Sequence, residues 1–272
     1  MVTEIKEEEG ISVVRACKIV MLVRSMYYYE SVKDDSEVEA KLKWYAEKLP
    51  SRGFPEYFKR IRAEGLFWNH KRLRRVYIKL GMPHRRKIKR RIPNPEKQPL
   101  LQPMRPNLTW SIDFMQDRLE NGRKFRTFNI IDDFNREALA VDIEYSFPSL
   151  KVIDRLKRVI EWRGKPEEIR SDNGTEVIAK VFGDFCSTSG IIYRRIQKGK
   201  PMQNGYIERF NRTYREDVLD MHIFETIDQV REKTEEFIMD YNNYHPHDSL
   251  GNLSPVQFLK VKYQEKMPTF TL

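Results

Sequence analysis

Apolar residues recur at two different periods along this chain, and the change comes near residue 108. Before it the spacing is helical. Val13, Ala16, Cys17 and Val20 mark a short helix capped by Ser12; Met21 to Val23 form a turn; Arg24 to Glu30 open a second helix with Ser25 near its cap. Residues 36–49 carry Val38, Leu42 and Tyr45 on one helical face. Phe54 to Ala63 and His70 to Leu80 read as two more helices, with Gly65 as a stop and Asn69 as an N-cap between them. In the last of these, Leu73, Val76, Tyr77 and Leu80 form the apolar stripe, and Lys71, Arg72, Arg74, Arg75 and Lys79 cover much of the rest. From 82 to 107, Pro83, Pro93, Pro95, Pro99, Pro103 and Pro106 exclude a helix and predict a linker.

Beyond 108 the pattern alternates between strand and helix. Thr109 to Met115, Lys124 to Asp132 and Glu137 to Tyr145 read as strands, the last two paired through a turn at Asp132-Asp-Phe-Asn-Arg136. Leu150 to Trp162 is an amphipathic helix, Glu168 to Ser171 a strand, Lys180 to Ser189 a helix and Ile191 to Ile196 a strand. Gly205 to Leu219 and Asp228 to Tyr244 close the series as helices. This order predicts an α/β (α+β) fold: a ribonuclease-H-like mixed five-stranded sheet flanked by helices, after an all-α helix-turn-helix region. The segments expected are a helix-turn-helix-like piece at 1–33, a helical DNA-binding region at 34–82 and a basic linker at 83–107. A catalytic core follows at 108–222, completed by a C-terminal helix and tail at 223–272.

Charge sharpens this division. The chain carries a net charge of +10, but residues 51–109 hold 17 Lys or Arg against three acids, so that stretch is about +14 and the rest about −4. A basic block of this kind suits a polyanion, nucleic acid first. Lys71, Arg72, Arg74 and Arg75 on the helix and Arg85, Arg86 and Lys87 in the linker are the candidate phosphate contacts. Cys17 and Cys186 form no disulfide framework or zinc motif. The acidic N-terminus and the lack of a long apolar run speak against a signal peptide or membrane span, so a soluble, cytoplasmic protein is expected. His245-Pro-His247 reads as a surface turn.

Three acids stand out by context. Asp113 lies within the first strand, Asp172 directly follows the fourth, and Glu208 lies on a helix, with 35 residues between the last two. Carboxylates so placed can hold two Mg²⁺ ions about 3.5–4 Å apart, the arrangement that stabilises in-line attack on a phosphodiester. Asn173-Gly174 permits a sharp turn after Asp172. Asn211 and Arg215 follow Glu208 by three and seven positions. Asn211 is placed to orient Glu208 or the DNA backbone, and Arg215 to touch a phosphate. Lys200 lies in the polar loop ahead of the helix.

Trp110-Ser-Ile-Asp-Phe114, Phe128-Asn-Ile-Ile-Asp-Asp-Phe134, Arg170-Ser-Asp-Asn-Gly174, Gln203-Asn-Gly-Tyr-Ile-Glu-Arg-Phe-Asn211 and Tyr241-Asn-Asn-Tyr-His-Pro-His247 together resemble the DDE transposases of two-frame bacterial insertion sequences. Those enzymes have a retroviral-integrase-like core, and the chain resembles the second-frame product. The resemblance implies Asp113, Asp172 and Glu208 as catalytic and metal-binding residues, with two Mg²⁺ ions or Mn²⁺ in their place. It implies cleavage at the element's terminal inverted repeats and strand transfer into target DNA by a homo-oligomer, with a first-frame helix-turn-helix or coiled-coil protein as a further partner. Gly53-Phe-Pro-Glu-Tyr-Phe-Lys-Arg-Ile61 departs from the family's usual Tyr-Gly-Tyr-Arg-Arg-Ile wording and puts Pro55 in a first helical turn. The alternatives are an inactive DNA-binding regulator, disfavoured by three intact acids, and a ribonuclease-H-like nuclease.

Overall fold

The computed structural model describes residues 2–29, 34–83, 102–172, 176–196 and 204–264, the side chains of 176–179 and 263–264 excepted. It divides into two compact units, 1–43 and 44–272. In the first unit, α1 (Val2–Glu8) packs on α2 (Val13–Ile19), burying Val2, Ala16 and Cys17, with Ile5, Val20, Leu22 and Tyr27 partly covered around them. Ser12 caps α2 as expected, its side chain accepting from Arg15 N–H. Two features differ from the sequence reading. α1 was not foreseen, because its glutamates hide a short apolar pair. The second helix, α3 (Arg24–Tyr27), is one turn long and starts after Val23, which makes no side-chain cap. α4 (Ser36–Lys48) follows.

The second unit contains α5 (Phe54–Ala63) and α6 (His70–Lys79). Pro55 sits in the first turn of α5, where a missing N–H costs no intrahelical bond. Asn69 caps α6 through Lys71 N–H, and Gly65 takes the left-handed conformation (φ +86°) that ends α5. The sheet consists of β1 (Thr109–Arg118), β2 (Lys124–Asp132), β3 (Ala138–Glu144), β4 (Glu168–Ser171) and β5 (Ile192–Arg195), in the order β3-β2-β1-β4-β5. β1 runs antiparallel to β2 and parallel to β4. This is the expected mixed sheet, with β1 at its centre.

Alternation along the strands makes two cores. Trp110, Ile112, Phe128 and Ile130 belong to the core that includes Val152, Leu156 and Val159 of α7 (Ser149–Arg163) and Phe182 and Cys186 of α8 (Glu176–Thr188). Phe125, Ile131 and Ile143, on the other face, belong with Ile207, Phe210 and Tyr214 of α9 (Gly205–Tyr214) and Val230, Phe237 and Tyr241 of α10 (Ile227–Tyr244). A π-helical turn, Arg215–Leu219, continues α9 where a plain helix was expected. α11 (Pro255–Gln264) was not anticipated.

The β2–β3 turn is buried, unlike an ordinary hairpin turn. Asp132 Oδ1 accepts from Phe134 N–H and Arg136 adopts φ +64°. The C-terminal segment covers it: Asn242 bonds both N–H and C=O of Ala138, Asn135 donates to Pro255 O, and Phe134 lies 5.4 Å from Phe258. The expected surface turn at His245-Pro-His247 is likewise corrected. His245 stacks on Tyr241 at 5.2 Å, and His247 is 8% exposed and bridged to Leu253. Burial, aided by neighbouring His245, pulls the His247 imidazole down to about 2.

Residues 44–83 are tied to the core by ions. Arg60 donates to both oxygens of Asp240 on α10 (3.0 and 2.8 Å) and to Glu56 (2.9 Å) while only 5% exposed. Arg52 and Ser51 both donate to Asp217 in the π-turn, at 2.6 Å each for the shortest contacts. Lys59 pairs with Asp248.

Candidate active site and nucleic-acid surface

The last β1–β4 pair is Ile112 with Ser171, so Asp113 and Asp172 come next on adjacent parallel strands. Parallel neighbours lie about 4.8 Å apart. Asp172 is exposed just past β4, and the preceding Ser171 hydroxyl donates to its carbonyl and lies 2.6 Å from Tyr193 Oη. Glu208 is exposed in the first turn of α9, a favourable place for a negative charge. The apolar face of that helix, Ile207, Phe210 and Tyr214, fixes it across the sheet.

Asp113 is partly buried. Its Oδ1 accepts from Phe114 N–H (2.8 Å) and its Oδ2 from Asn211 Nδ2 (2.6 Å). Burial first, then the charges of Asp172 and Glu208, push the carboxyl up to about 6, against the opposing pull of those two hydrogen bonds. Asp113 therefore lies within the field of the other two acids. Among the described residues, no three His, Cys, Asp or Glu side chains stand close enough to hold an ion. The donor chemistry nonetheless suits a hard divalent cation, since all three are carboxylates.

Asn211 donates to Asp113, a partner the sequence reading, which had it orient Glu208 or the DNA backbone, did not name. Arg215 pairs with Asp117 (2.9 Å) and with Gln116 O (3.2 Å) at the end of β1. On α6, Lys71, Arg74 and Arg75 are exposed and Arg72 half-buried, with Leu73, Val76 and Tyr77 beneath them. Arg74 lies over Phe54. Arg85, Arg86, Lys87 and Lys200 fall outside the described residues. Sequence reasoning missed Asn129, whose Nδ2 donates to Asn211 Oδ1 at 2.7 Å. Its signal was a lone amide in the apolar run Phe128 to Ile131.

Comparison with known proteins bears on the family and the fold. Two models described as integrase core domain match residues 103–201 and 189–255. The chain is 36% identical over 257 residues to the 31.7 kDa protein of insertion element IS407 from Burkholderia multivorans, covering 93% of this chain and 92% of that one. It is 32% identical over 254 residues to the 39.2 kDa protein of IS476 from Xanthomonas euvesicatoria, covering 93% and 73%. Among solved structures, a simian T-cell lymphotropic virus intasome shares the fold, with a TM-score of 0.51 and 16% identity over 79% of this chain and 76% of that one. No helix among the described residues is long and apolar enough to cross a membrane. Sequence kinship over nearly the whole chain, with an integrase core around a central acidic strand, places this protein among the DDE transposases of bacterial insertion sequences, polynucleotidyl transferases that carry out DNA transposition.

Proposed function

We propose that the chain is a Mg²⁺-dependent strand transferase in which Asp113, Asp172 and Glu208 hold two ions, Mn²⁺ serving in their place. The observation that carries this reading is the β1–β4 register, in which Asp113 and Asp172 directly follow the paired Ile112 and Ser171. When bound, the ions neutralise charge on the attacking and leaving oxygens of an in-line displacement. The protein's own part is placement. On this reading Asp113 at β1 and Asp172 after β4 supply two carboxylates, Glu208 in the first turn of α9 the third, and Asn211 orients Asp113 by donating to it. Lys71, Arg72, Arg74 and Arg75 on α6, with Arg85, Arg86, Lys87 and Lys200, engage DNA phosphates. Arg215 reaches a phosphate by leaving Asp117, and Asn211 lies beside the backbone at the reacting centre.

The substrates on this reading are the terminal inverted repeats of the element and a target duplex, joined after 3′-end cleavage. A homo-oligomer pairs the two ends, and a first-frame helix-turn-helix or coiled-coil protein assists the second-frame chain. The work is done at the bacterial nucleoid. The experiment is strand joining on DNA bearing the element's ends: Glu208→Gln loses joining and keeps DNA binding. Full joining by that variant refutes the assignment.

A further inference from the structure

An ionised carboxylate only accepts hydrogen bonds, so the Asn211 atom 2.6 Å from Asp113 Oδ2 has to be the amide nitrogen. Asn211 Oδ1 then faces the other way and needs a donor. It receives one from Asn129 Nδ2 at 2.7 Å. The direction of this two-amide relay is thus fixed by chemistry at the Asp113 end. Asn129 lies directly across from Asp113 in the β1–β2 register, on the same face of the sheet, and is fully buried. Its own Oδ1 has no hydrogen-bond partner among the described residues.

Fold stability does not account for such a residue. Burying an amide costs more than burying an apolar side chain, and on Asn129's own face of β2 its neighbours are the buried Thr127 and Ile131, with Phe128 and Ile130 turned to the opposite core. The bond to Asn211 does account for it. Without a donor at 129, Asn211 Oδ1 loses its partner, and the amide is held by its bond to Asp113 alone and can tilt about that contact. With the donor present, Asp113 receives one N–H on each oxygen, from Phe114 and Asn211, and keeps one lone-pair direction on each oxygen for a cation.

We propose that Asn129 is a positioning residue for strand transfer, locking the Asn211 amide so that it holds the Asp113 carboxylate ready for a divalent ion. The inference rests on the triad reading above. It is tested in the full chain with Asn129→Leu, which keeps the size and removes the donor. Mn²⁺ binding is followed by the electron paramagnetic resonance signal of the free ion, and joining is titrated with Mg²⁺. The Mn²⁺ dissociation constant and the Mg²⁺ concentration for half-maximal joining both rise about tenfold, as for other residues that orient metal ligands. The joining rate at saturating Mg²⁺, the melting temperature and DNA binding in EDTA stay near wild type.

Adding Asn129→Leu to Asn211→Leu changes the Mn²⁺ affinity no further, because the effect passes through Asn211. Should Asn129→Leu not fold, Asn129→Asp keeps the shape, replaces the donor with an acceptor, and shows the same loss of affinity. Wild-type ion dependence in the variant, or an additive loss in the double variant, overturns the proposal. Glu208→Gln serves as the control. If it joins like wild type, the triad reading fails; if it is inactive while Asn129→Leu matches wild type, only the relay fails.

Discussion

Arg60→Met is the sharpest probe of how the helical segment is fixed to the catalytic core. Arg60 is 5% exposed and makes three charge-assisted contacts, two to Asp240 and one to Glu56. Met keeps the length of the stem and removes the charge. Asp240 is then left with Lys48 at 3.4 Å, and Glu56 with His245 at 3.2 Å. Truncating one member of a buried pair costs about 3–5 kcal/mol, mostly because the remaining charge is stranded. The surviving partners put this case near 3 kcal/mol on that scale. At roughly 2–4 °C per kcal/mol for a chain of this size, the melting temperature falls by roughly 10 °C. Urea denaturation followed by tryptophan fluorescence reads the loss, since Trp44 and Trp110 both lie in this unit. The triple variant Glu56→Leu, Arg60→Met, Asp240→Leu recovers most of it, because replacing a whole ion cluster with apolar residues is near neutral. A loss below about 1 kcal/mol for the single variant means that solvent screens the cluster and refutes the reasoning.

Other consequences are open to measurement. Burial raises the Asp133 carboxyl to about 6 from 3.8, against the pull of Ser111, Arg170 and Arg136. The folded state therefore binds this proton more tightly than the unfolded chain, and ionisation destabilises the fold as pH rises from about 4 through 6. Asp133→Asn removes that term, so its stability relative to wild type climbs by up to about 3 kcal/mol across this window and levels off above it; a flat difference in urea midpoints between pH 4 and 7 contradicts this. Lys71→Glu with Arg74→Glu weakens DNA binding for every sequence and lowers the salt slope by about 0.9 for each lost contact. An unchanged slope in fluorescence anisotropy places DNA elsewhere. Asn129→Leu shifts the ion requirement without shifting DNA affinity in EDTA, as set out above.

The elements that follow a clean apolar period were legible from the residues alone. β2, β4 and α5 fall at the expected bounds, since alternation and caps such as Asn69 are local signals. The three acids proposed for the site were picked by context, because each sits at the end of, or within, an element whose type could be read. What could not be read depends on long-range contacts. The Asp132 to Arg136 turn looked like a polar hairpin, yet it is buried because Asn242, Pro255 and Phe258 arrive from over a hundred residues later. His245 and His247 looked exposed for the same reason, and Tyr241 covers them. Helical spacing set Asn211 to orient Glu208 or the DNA backbone, whereas the sheet beneath supplies its partners Asp113 and Asn129. Spacing within one helix carries no information about the strand it covers.

The central claim is that Asp113, Asp172 and Glu208 act as one metal-holding unit in DNA strand transfer. The most direct measurement is Mg²⁺-dependent joining of DNA bearing the element's ends by the full chain and by Asp113→Asn, Asp172→Asn and Glu208→Gln. Wild type joins, EDTA abolishes joining and Mg²⁺ restores it, while each variant binds the same DNA and falls by at least about a thousandfold, the scale lost with one essential member of a catalytic unit. Joining near the wild-type rate by any of the three, or joining in EDTA, contradicts the account.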